Sequence, residues 1–284
     1  MENSHVKNLS LLLLATLFVS TSGVLGKYIN LSPEVIIFCR AFLAAIFIYG
    51  FCKFKKIDLR IKTKKDRNSL ILIGFFMGAH LVTYFYALKL STVAIGMLSM
   101  YTFPVITAFL EPLFTKQKLN LIHIFLGVLV LTGMYILVPE FSLENSHLQG
   151  VLFGILSAFC YSLRNLILKK HVKTYNSSML MLHQMIVITV LLMPVLFFSD
   201  FSNVQSQLPL LMLVAILTTA IGHTMMVNSF KHFSISTASI ISSVQPIFGI
   251  IIAFLFVNEI PHFNTIIGGS LILLTVIIES VRSK

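Results

Sequence analysis

The chain contains 284 residues, of which 57% are hydrophobic and 11% are charged, and its mean hydropathy is +0.92. Because a soluble domain needs roughly 25% charged residues to cover its surface, this composition excludes a water-soluble globular protein and indicates an outer surface that faces lipid. The net charge of +11 would suggest nucleic acid in a soluble protein, but the basic residues do not form an aromatic-interleaved surface, so we expect no nucleic-acid partner.

Ten apolar runs follow one another along the chain, each of about 20 residues, which as a helix spans about 30 Å of hydrocarbon. Strands of a membrane barrel would alternate in polarity over roughly ten residues, so we predict an all-α integral membrane protein with ten transmembrane helices. The predicted segments, numbered 1 to 10, are residues 9–28, 33–52, 69–90, 92–115, 120–138, 148–169, 176–198, 208–231, 236–257 and 262–281. Segment 1 could pass for a signal peptide, but it lacks a clear A-x-A cleavage site and is interpreted as a retained helix.

Lysine and arginine are distributed unevenly between the two ends of these segments. With both termini in the cytoplasm, 17 of them lie on the cytoplasmic side, eight of these between Lys53 and Arg67, and only Lys27 and Lys89 lie on the other side. Basic loops stay in the cytoplasm and contact anionic lipid headgroups. We therefore predict a multi-pass protein of the bacterial cytoplasmic (inner) membrane with both termini cytoplasmic.

The two halves of the chain correspond at one constant offset of 142 residues. The superposed pairs are Ser20 and Ser162, Lys27 and Lys169, Lys89 and Lys231, Pro104 and Pro246, Phe114 and Phe256, and Gly127 and Gly269. Because each half holds five segments, an odd number, the second half must enter the membrane upside down. This pattern predicts two inverted five-helix repeats, residues 1–142 and 143–284, with a binding site where they meet near the middle of the membrane.

Several polar residues of the first half lie inside predicted spans. Polar side chains are costly in the hydrocarbon, roughly 2.5–3.5 kcal/mol for a charge on insertion scales, so they mark an inward face or a function. Arg40 lies inside segment 2, and we interpret it as a structural tie to carbonyls or to an acid. His80 and Tyr84 lie one turn apart in segment 3, and Tyr101 lies in segment 4. For His80 two interpretations stay open: a hydrogen-bonded interior histidine, or contact with substrate or protons.

Pro104 and Pro246 lie midway along segments 4 and 9. A proline cannot donate to the carbonyl four residues before it, so the carbonyls of Met100 and Ser242 lose their usual partner. Such carbonyls must face protein or a water-filled cavity. The pair predicts hinge points beside a shared cavity; the alternative is two packing kinks without a role in transport.

Glu111 is the only acid clearly within a predicted span, near the cytoplasmic end of segment 4. A carboxylate at this position could take up protons and couple transport to the proton gradient. It could equally pair with Lys116 or Lys118 at the end of the helix. Both interpretations stay open, so proton coupling through Glu111 is a hypothesis.

The second half carries a polar stripe in segment 6, formed by Ser157, Tyr161, Arg164 and Asn165. The guanidinium of Arg164 either binds an anionic group, for which its forked donors are suited, or it reaches back to the membrane surface or pairs with carbonyls at the end of the helix. Further polar candidates follow in segments 7 to 9: His183 and Gln184 as hydrogen-bonding residues between helices, then Thr219, His223, Ser239, Ser242 and Gln245.

Signatures of catalysis and of metal binding are lacking in the sequence. There is no H-E-x-x-H, G-x-S-x-G or G-x-x-x-x-G-K-[ST] motif. The cysteines Cys39, Cys52 and Cys160 show no metal-ligand spacing. We therefore expect no enzyme activity, no catalytic residues, no cofactor and no metal.

Several stretches resemble the EamA branch of the drug/metabolite transporter superfamily. They are residues 38–45 (FCRAFLAA), 101–104 (YTFP) with 111–113 (EPL), and 245–246 (QP) with 258–259 (NE). The resemblance covers residues 9 to 281, although Gln117 replaces a glutamate of many members and the chain has no tryptophan. It implies alternating access through a central cavity lined by segments 1, 3, 4, 6, 8 and 9, and export of amino acids or related metabolites.

The function that we predict is that of a secondary transporter in the lipid bilayer, acting on a small-molecule substrate as a monomer or homodimer. The substrate-binding residues that we predict are His80, Tyr84, Tyr101, Arg164, Asn165, His223, Ser242 and Gln245. The alternatives are a passive facilitator or channel on the same scaffold, and a membrane scaffold or sensor without transport.

Overall fold

A computed structural model describes residues 2–115, 121–137, 144–233, 238, 241–242 and 244–282, and helices dominate this part of the chain. Helices of the first half are α1 (Glu2–Tyr28), α2 (Pro33–Phe54), α3 (Lys64–Leu90), α4 (Val93–Met100), α5 (Phe103–Thr115) and α6 (Leu121–Leu137). Those of the second half are α7 (Ser146–Leu168), α8 (Ser177–Leu191), α9 (Val195–Phe198), α10 (Val204–Leu213), the π-helix Val214–His223, α11 (Thr224–Ser229), α12 (Gln245–Val257) and α13 (Phe263–Arg282).

Seven helical stretches of the described residues are long and apolar enough to cross a membrane. They are Val6–Tyr28, Pro33–Phe54, Lys64–Leu90, Val93–Phe114, Ser146–Leu168, Ser177–Phe198 and Val204–Ser229, and they match predicted segments 1 to 4 and 6 to 8. Three shorter apolar helices, Ile124–Ile136, Gln245–Val257 and Phe263–Ile278, fall within segments 5, 9 and 10. The all-helical membrane fold is confirmed, whereas the count of ten spans stays a prediction.

The helices pack so that elements of the two halves alternate. In the first half α1 lies against the π-helix and α12, and α2 lies against α8. In the second half α7 lies against α3, α4 and α5, while α13 packs on α6. We call the end of the bundle where α1 finishes the outer end, and the opposite end the inner end.

Predicted segment 4 is interrupted rather than continuous. The helix stops at Met100, passes through a turn at Tyr101 and Thr102, and starts again at Phe103, so that Pro104 occupies the first turn of α5. In a first turn the missing proline N–H removes no helical hydrogen bond, which is why the break lies immediately before the proline. Pro246 likewise lies in the first turn of α12.

The stretch Val214–His223 is wound as a π-helix. The hydroxyl groups of Thr218 and Thr219 both donate to the carbonyl of Val214, at 2.6 and 3.3 Å. π-helical turns are frequent at functional sites, and this one contains Thr219 and His223, which are both buried.

Candidate functional site

A small polar cavity lies between the two halves. Its volume is about 20 Å³, and a cavity of this size holds about one water molecule. The residues that line it are Val19, Ser22, His80, Leu81, Tyr84, Met100, Tyr101, Phe103, Tyr161, His223, Met226, Ser242 and Gln245. They come from α1, α3, α4, α5, α7, the π-helix, α11 and the approach to α12, so both halves contribute.

Six of the eight predicted binding residues line this cavity, namely His80, Tyr84, Tyr101, His223, Ser242 and Gln245. The other two, Arg164 and Asn165, are buried but lie outside the lining. Tyr161 and Ser22 line the cavity although they were not predicted as binding residues. Tyr161 belongs to the polar stripe of segment 6, so its position could have been inferred; Ser22 carries no comparable signal.

His80 is held by two hydrogen bonds to α7. Its Nδ1 atom lies 2.8 Å from Oγ of Ser157, whose hydroxyl also lies 3.0 Å from the carbonyl of His80. The imidazole packs on the ring of Tyr161, with 4.6 Å between centroids. These contacts agree with the interpretation of His80 as an interior hydrogen-bonded histidine. The ring also lies at the cavity wall, and its contact with substrate stays a prediction.

Tyr101 connects the break in segment 4 with the start of α12. Its hydroxyl lies 2.5 Å from the carbonyl of Ser242 and 2.8 Å from Oε1 of Gln245. The carbonyl of Ser242 is one of the two that were expected to lose their helical partner to a proline. A side chain of the other half therefore satisfies it at the cavity wall.

Arg40 is fully buried beside the cavity, with 0% of its surface exposed. Its Nε donates to Oγ1 of Thr219 at 2.5 Å, and its Nη1 donates to Oγ of Ser22 at 3.1 Å. The expected ties to carbonyls or to an acid are therefore wrong for these two donors, because both partners are hydroxyl groups. Ser22 is also a lining residue, which puts the guanidinium next to the cavity wall.

Arg164 is also fully buried, so its guanidinium does not reach the membrane surface as one interpretation expected. Its Nε donates to Oε1 of Gln184 and its Nη1 to Oδ1 of Asn165, each at 2.8 Å. The guanidinium carbon lies 5.8 Å from the ring centroid of Tyr161, a lining residue. Gln184 thus makes the contact between helices that was predicted for it.

Glu111 lies in α5, is partly exposed and does not line the cavity. The basic residues proposed as its partners, Lys116 and Lys118, lie outside the described residues, as does the predicted polar residue Ser239. Proton coupling through Glu111 stays a prediction.

Three hydrogen bonds lie at the outer end, one within the first half and two between the halves. Lys27 of α1 donates to the carbonyl of Ser91, and Oε1 of Glu259 accepts from the backbone N–H of Ala94 at 3.3 Å. Tyr28 also donates to the carbonyl of Phe256. These contacts join α1 and the α3–α4 turn to the end of α12.

At the inner end a polar cluster joins the loop before α3 to the loop after α7. The Tyr175 hydroxyl donates to Oδ2 of Asp66 at 2.7 Å and accepts from the backbone N–H of Lys62 at 3.0 Å. His171 lies 3.6 Å from Asp66 and 2.8 Å from the hydroxyl of Ser69. Burial lowers the pKa of His171, although nearby Asp66 acts in the opposite direction.

The described residues contain no group of three His, Cys, Asp or Glu side chains that could hold a metal ion. Within the same part of the chain, the cavity lining consists of hydroxyl, imidazole and amide groups together with apolar side chains, and includes no carboxylate. Such a lining can bind a small polar molecule by hydrogen bonds.

Long apolar helices around a buried polar cavity define a multi-pass membrane transporter, and comparison with known proteins agrees. The EamA-like transporter family matches the chain twice, over residues 7–138 and 148–281. The chain belongs to this family, with one match in each half.

Similar proteins carry transporter names. An uncharacterised transporter, YxxF, of Bacillus subtilis (strain 168) is 23% identical over 92% of this chain and 86% of its own length. The pseudopaline exporter CntI of Pseudomonas aeruginosa (strain UCBPP-PA14) is 24% identical over 96% of both chains. A solved crystal structure matches with a TM-score of 0.69 at 15% identity over 96% of both chains, which supports the fold alone.

Proposed function

We propose that the protein is a secondary transporter that moves small metabolites by alternating access and exports amino acids or related compounds. The observation that carries the proposal is the buried polar cavity, because residues from both halves line it. Polar groups are costly inside a membrane and mark a substrate path when they converge there.

The proposal includes ten spans arranged as two inverted repeats. The packing supports it, since exchanging the halves at the offset of 142 residues maps each principal contact on another: α1 with the π-helix on α7 with α3, and α1 with α12 on α7 with α5. The contacts of α2 with α8 and of α6 with α13 map on themselves. The separate family match to each half points the same way.

Substrate needs more room than this conformation provides. A cavity for about one water molecule must widen before a metabolite can enter. The break before Pro104 and the start of α12 at Pro246 lie at the cavity wall, where Tyr101 bonds to the Ser242 carbonyl. We infer that helices move apart at these two hinges.

The orientation in the proposal has both termini in the cytoplasm of a bacterium, which puts the Lys27–Ser91 and Ala94–Glu259 contacts outside and the Asp66–Tyr175 cluster inside. The excess of basic residues at the inner end supports it. Export, rather than import, is supported by the name of one relative, the pseudopaline exporter.

Flux measurements in proteoliposomes test the proposal. We expect purified protein to move labelled amino acids faster than protein-free liposomes do, and an imposed proton gradient to drive accumulation if transport is coupled. A passive facilitator equilibrates substrate without accumulating it. A membrane scaffold moves nothing, and that result would contradict the proposed function.

A variant at the cavity wall separates transport from folding. Replacement of His80 by Ala removes the contact with Ser157 and should lower flux while the protein still inserts. Insertion is followed by size-exclusion chromatography in detergent. Loss of folded protein without loss of specific flux would instead give His80 a structural role only.

A further inference from the structure

Within the described residues, two buried arginines beside the cavity donate hydrogen bonds only to uncharged groups. Arg40 bonds to the hydroxyls of Ser22 and Thr219. Arg164 bonds to the amide oxygens of Gln184 and Asn165. Such acceptors fix the orientation of a guanidinium, but none of them carries a compensating negative charge.

Each of these guanidinium groups has one nitrogen left over. The Nη2 atoms of Arg40 and Arg164 are buried and have no hydrogen-bond partner within the described part of the chain, and the hydroxyl of Tyr84 is in the same state. Taking an ion out of water is costly unless its donors are paired. Tyr84 lines the cavity, and each arginine contacts a lining residue, Ser22 or Tyr161. Unsatisfied donors on these three side chains therefore indicate that an acceptor is missing at or beside the cavity.

The two arginines lie at different depths in the bundle. Arg40 lies about 10 Å along α2 from its outer end, and Arg164 lies about 6 Å along α7 from its inner end, at 1.5 Å per residue. Arg40 donates to the hydroxyl of Ser22, and the guanidinium carbon of Arg164 lies 5.8 Å from the ring centroid of Tyr161. Each positive charge is therefore next to a residue of the cavity wall.

We propose that the transported metabolite is a net anion whose carboxylate or phosphate oxygens are bound by the free Nη2 donors of Arg40 and Arg164 and by the hydroxyl of Tyr84. The inference rests on the proposed transport function and specifies its substrate class. A neutral substrate leaves both charges without a counter-charge, and a cation adds a third positive charge. The forked geometry of guanidinium suits planar or tetrahedral oxyanions.

Pairs of similar compounds that differ in charge test this inference in proteoliposomes. L-Glutamate is compared with L-glutamine, and glycerol 3-phosphate with glycerol, so that the two arms distinguish a carboxylate from a phosphate. We expect the acid of at least one pair to be transported at least tenfold faster than its neutral analogue. Equal transport of acid and neutral analogue, or faster transport of the neutral one, overturns the inference and leaves the transport function intact.

Substitutions test whether Arg40 and Arg164 cause the preference for the acid over its neutral analogue. Arg40→Met and Arg164→Met should each abolish the preference for the acid, whereas Arg60→Met, which removes a charge from the exposed inner loop, should leave it unchanged. Since the methionine variants lose hydrogen bonds to neighbouring helices, Arg40→Lys and Arg164→Lys are measured alongside them. The lysine variants retain the charge without the second fork nitrogen, so they should remain folded and lose most of the preference.

Untargeted comparison of culture media covers substrates beyond these probes. Compounds that accumulate outside cells producing the wild type and Arg60→Met, but not outside cells producing Arg164→Met, should carry a net negative charge. Accumulation of neutral or cationic compounds instead contradicts the inference alone. If no compound moves in either assay, the proposed transport function fails and this inference fails with it.

Discussion

Two tyrosines at the cavity wall differ in what their hydroxyl groups do. Tyr101 shares its proton between the Ser242 carbonyl and Gln245, whereas the hydroxyl of Tyr84 has no hydrogen-bond partner among the residues that the structure describes. Both rings are buried. Removal of the hydroxyl oxygen should therefore lower stability at Tyr101 and substrate binding at Tyr84.

Tyr101→Phe leaves the carbonyl of Ser242 buried without a donor, which costs about 1–3 kcal/mol. We expect a lower apparent Tm in detergent for this variant. Tyr84→Phe removes a hydroxyl that has no hydrogen-bond partner among the described residues. The Tm of this variant should therefore stay close to that of the wild type, while its transport of anions decreases. The reverse order of Tm values would contradict the hydrogen bonding described.

His171 gives a pH dependence at the inner end. Since burial lowers the pKa of His171 from 6.5, the unfolded chain takes up a proton at a higher pH than the folded protein does. Stability from this residue is therefore present above about pH 6.5 and is lost as pH falls towards the folded pKa.

His171→Gln removes that titration. We expect the Tm of the wild type to fall more between pH 7.5 and 5.5 than the Tm of His171→Gln does, with thermal unfolding in detergent as the measurement. The two proteins share all other ionisable residues, so the difference isolates His171. An equal decrease in the two proteins would refute the assignment.

Residue type and spacing identified much of the cavity wall but not the contacts of the arginines. His80, Tyr84 and Tyr101 were predicted because polar side chains inside an apolar run must face inwards, and that rule uses the sequence alone. The partners of Arg40 depend on which helix lies across from α2. Thr219 is 179 residues away in the chain, and no local pattern indicates that pairing.

At the scale of elements, α4 packs closely on α7 at the point where predicted segment 4 is interrupted. A β-carbon built on Gly154 would lie 2.0 Å from Oγ of Ser99 and 2.7 Å from its Cβ, immediately before the helix stops at Met100. Only glycine allows α7 and α4 to approach this closely, and the contact holds the interrupted helix beside the cavity.

Gly154→Ala should force α4 and α7 apart. Overpacking of this kind costs typically 1–3 kcal/mol, so we expect a lower Tm and a loss of transport. Gly50→Ala is the matched control, because nothing lies within 4 Å of a β-carbon there. In a helix that change stabilises by roughly 0.5–1 kcal/mol. A Tm decrease of equal size in both variants would exclude the close contact as the cause.

The sequence predicted the apolar elements well and their irregularities poorly. Hydrophobic runs identify membrane helices because their length is set by the bilayer. The stop at Met100 and the π-helix Val214–His223 depend instead on packing against other elements. Pro104 predicted an irregularity in segment 4, but the proline alone did not distinguish a kinked helix from an interrupted one.

At the scale of the whole molecule, the orientation of the protein in the membrane can be tested with reporter fusions. Since 17 basic residues lie at the proposed cytoplasmic side and two at the other, we expect a periplasm-dependent phosphatase fused after Lys284 to be inactive. The same phosphatase fused after a chain truncated at Asn258 should be active. A fluorescent protein that matures only in the cytoplasm provides the converse control, and the opposite pattern would contradict the proposed topology.

The pairing of α2 with the second half has a consequence for synthesis of the protein. Arg40 leaves the ribosome 179 residues before Thr219, the hydroxyl that accepts from its Nε. At about 5–20 residues per second, that interval lasts about 10 to 35 s. During that time a guanidinium sits in or beside the insertion machinery without its final neighbour, so assembly of the bundle completes only after the late helices have been translated.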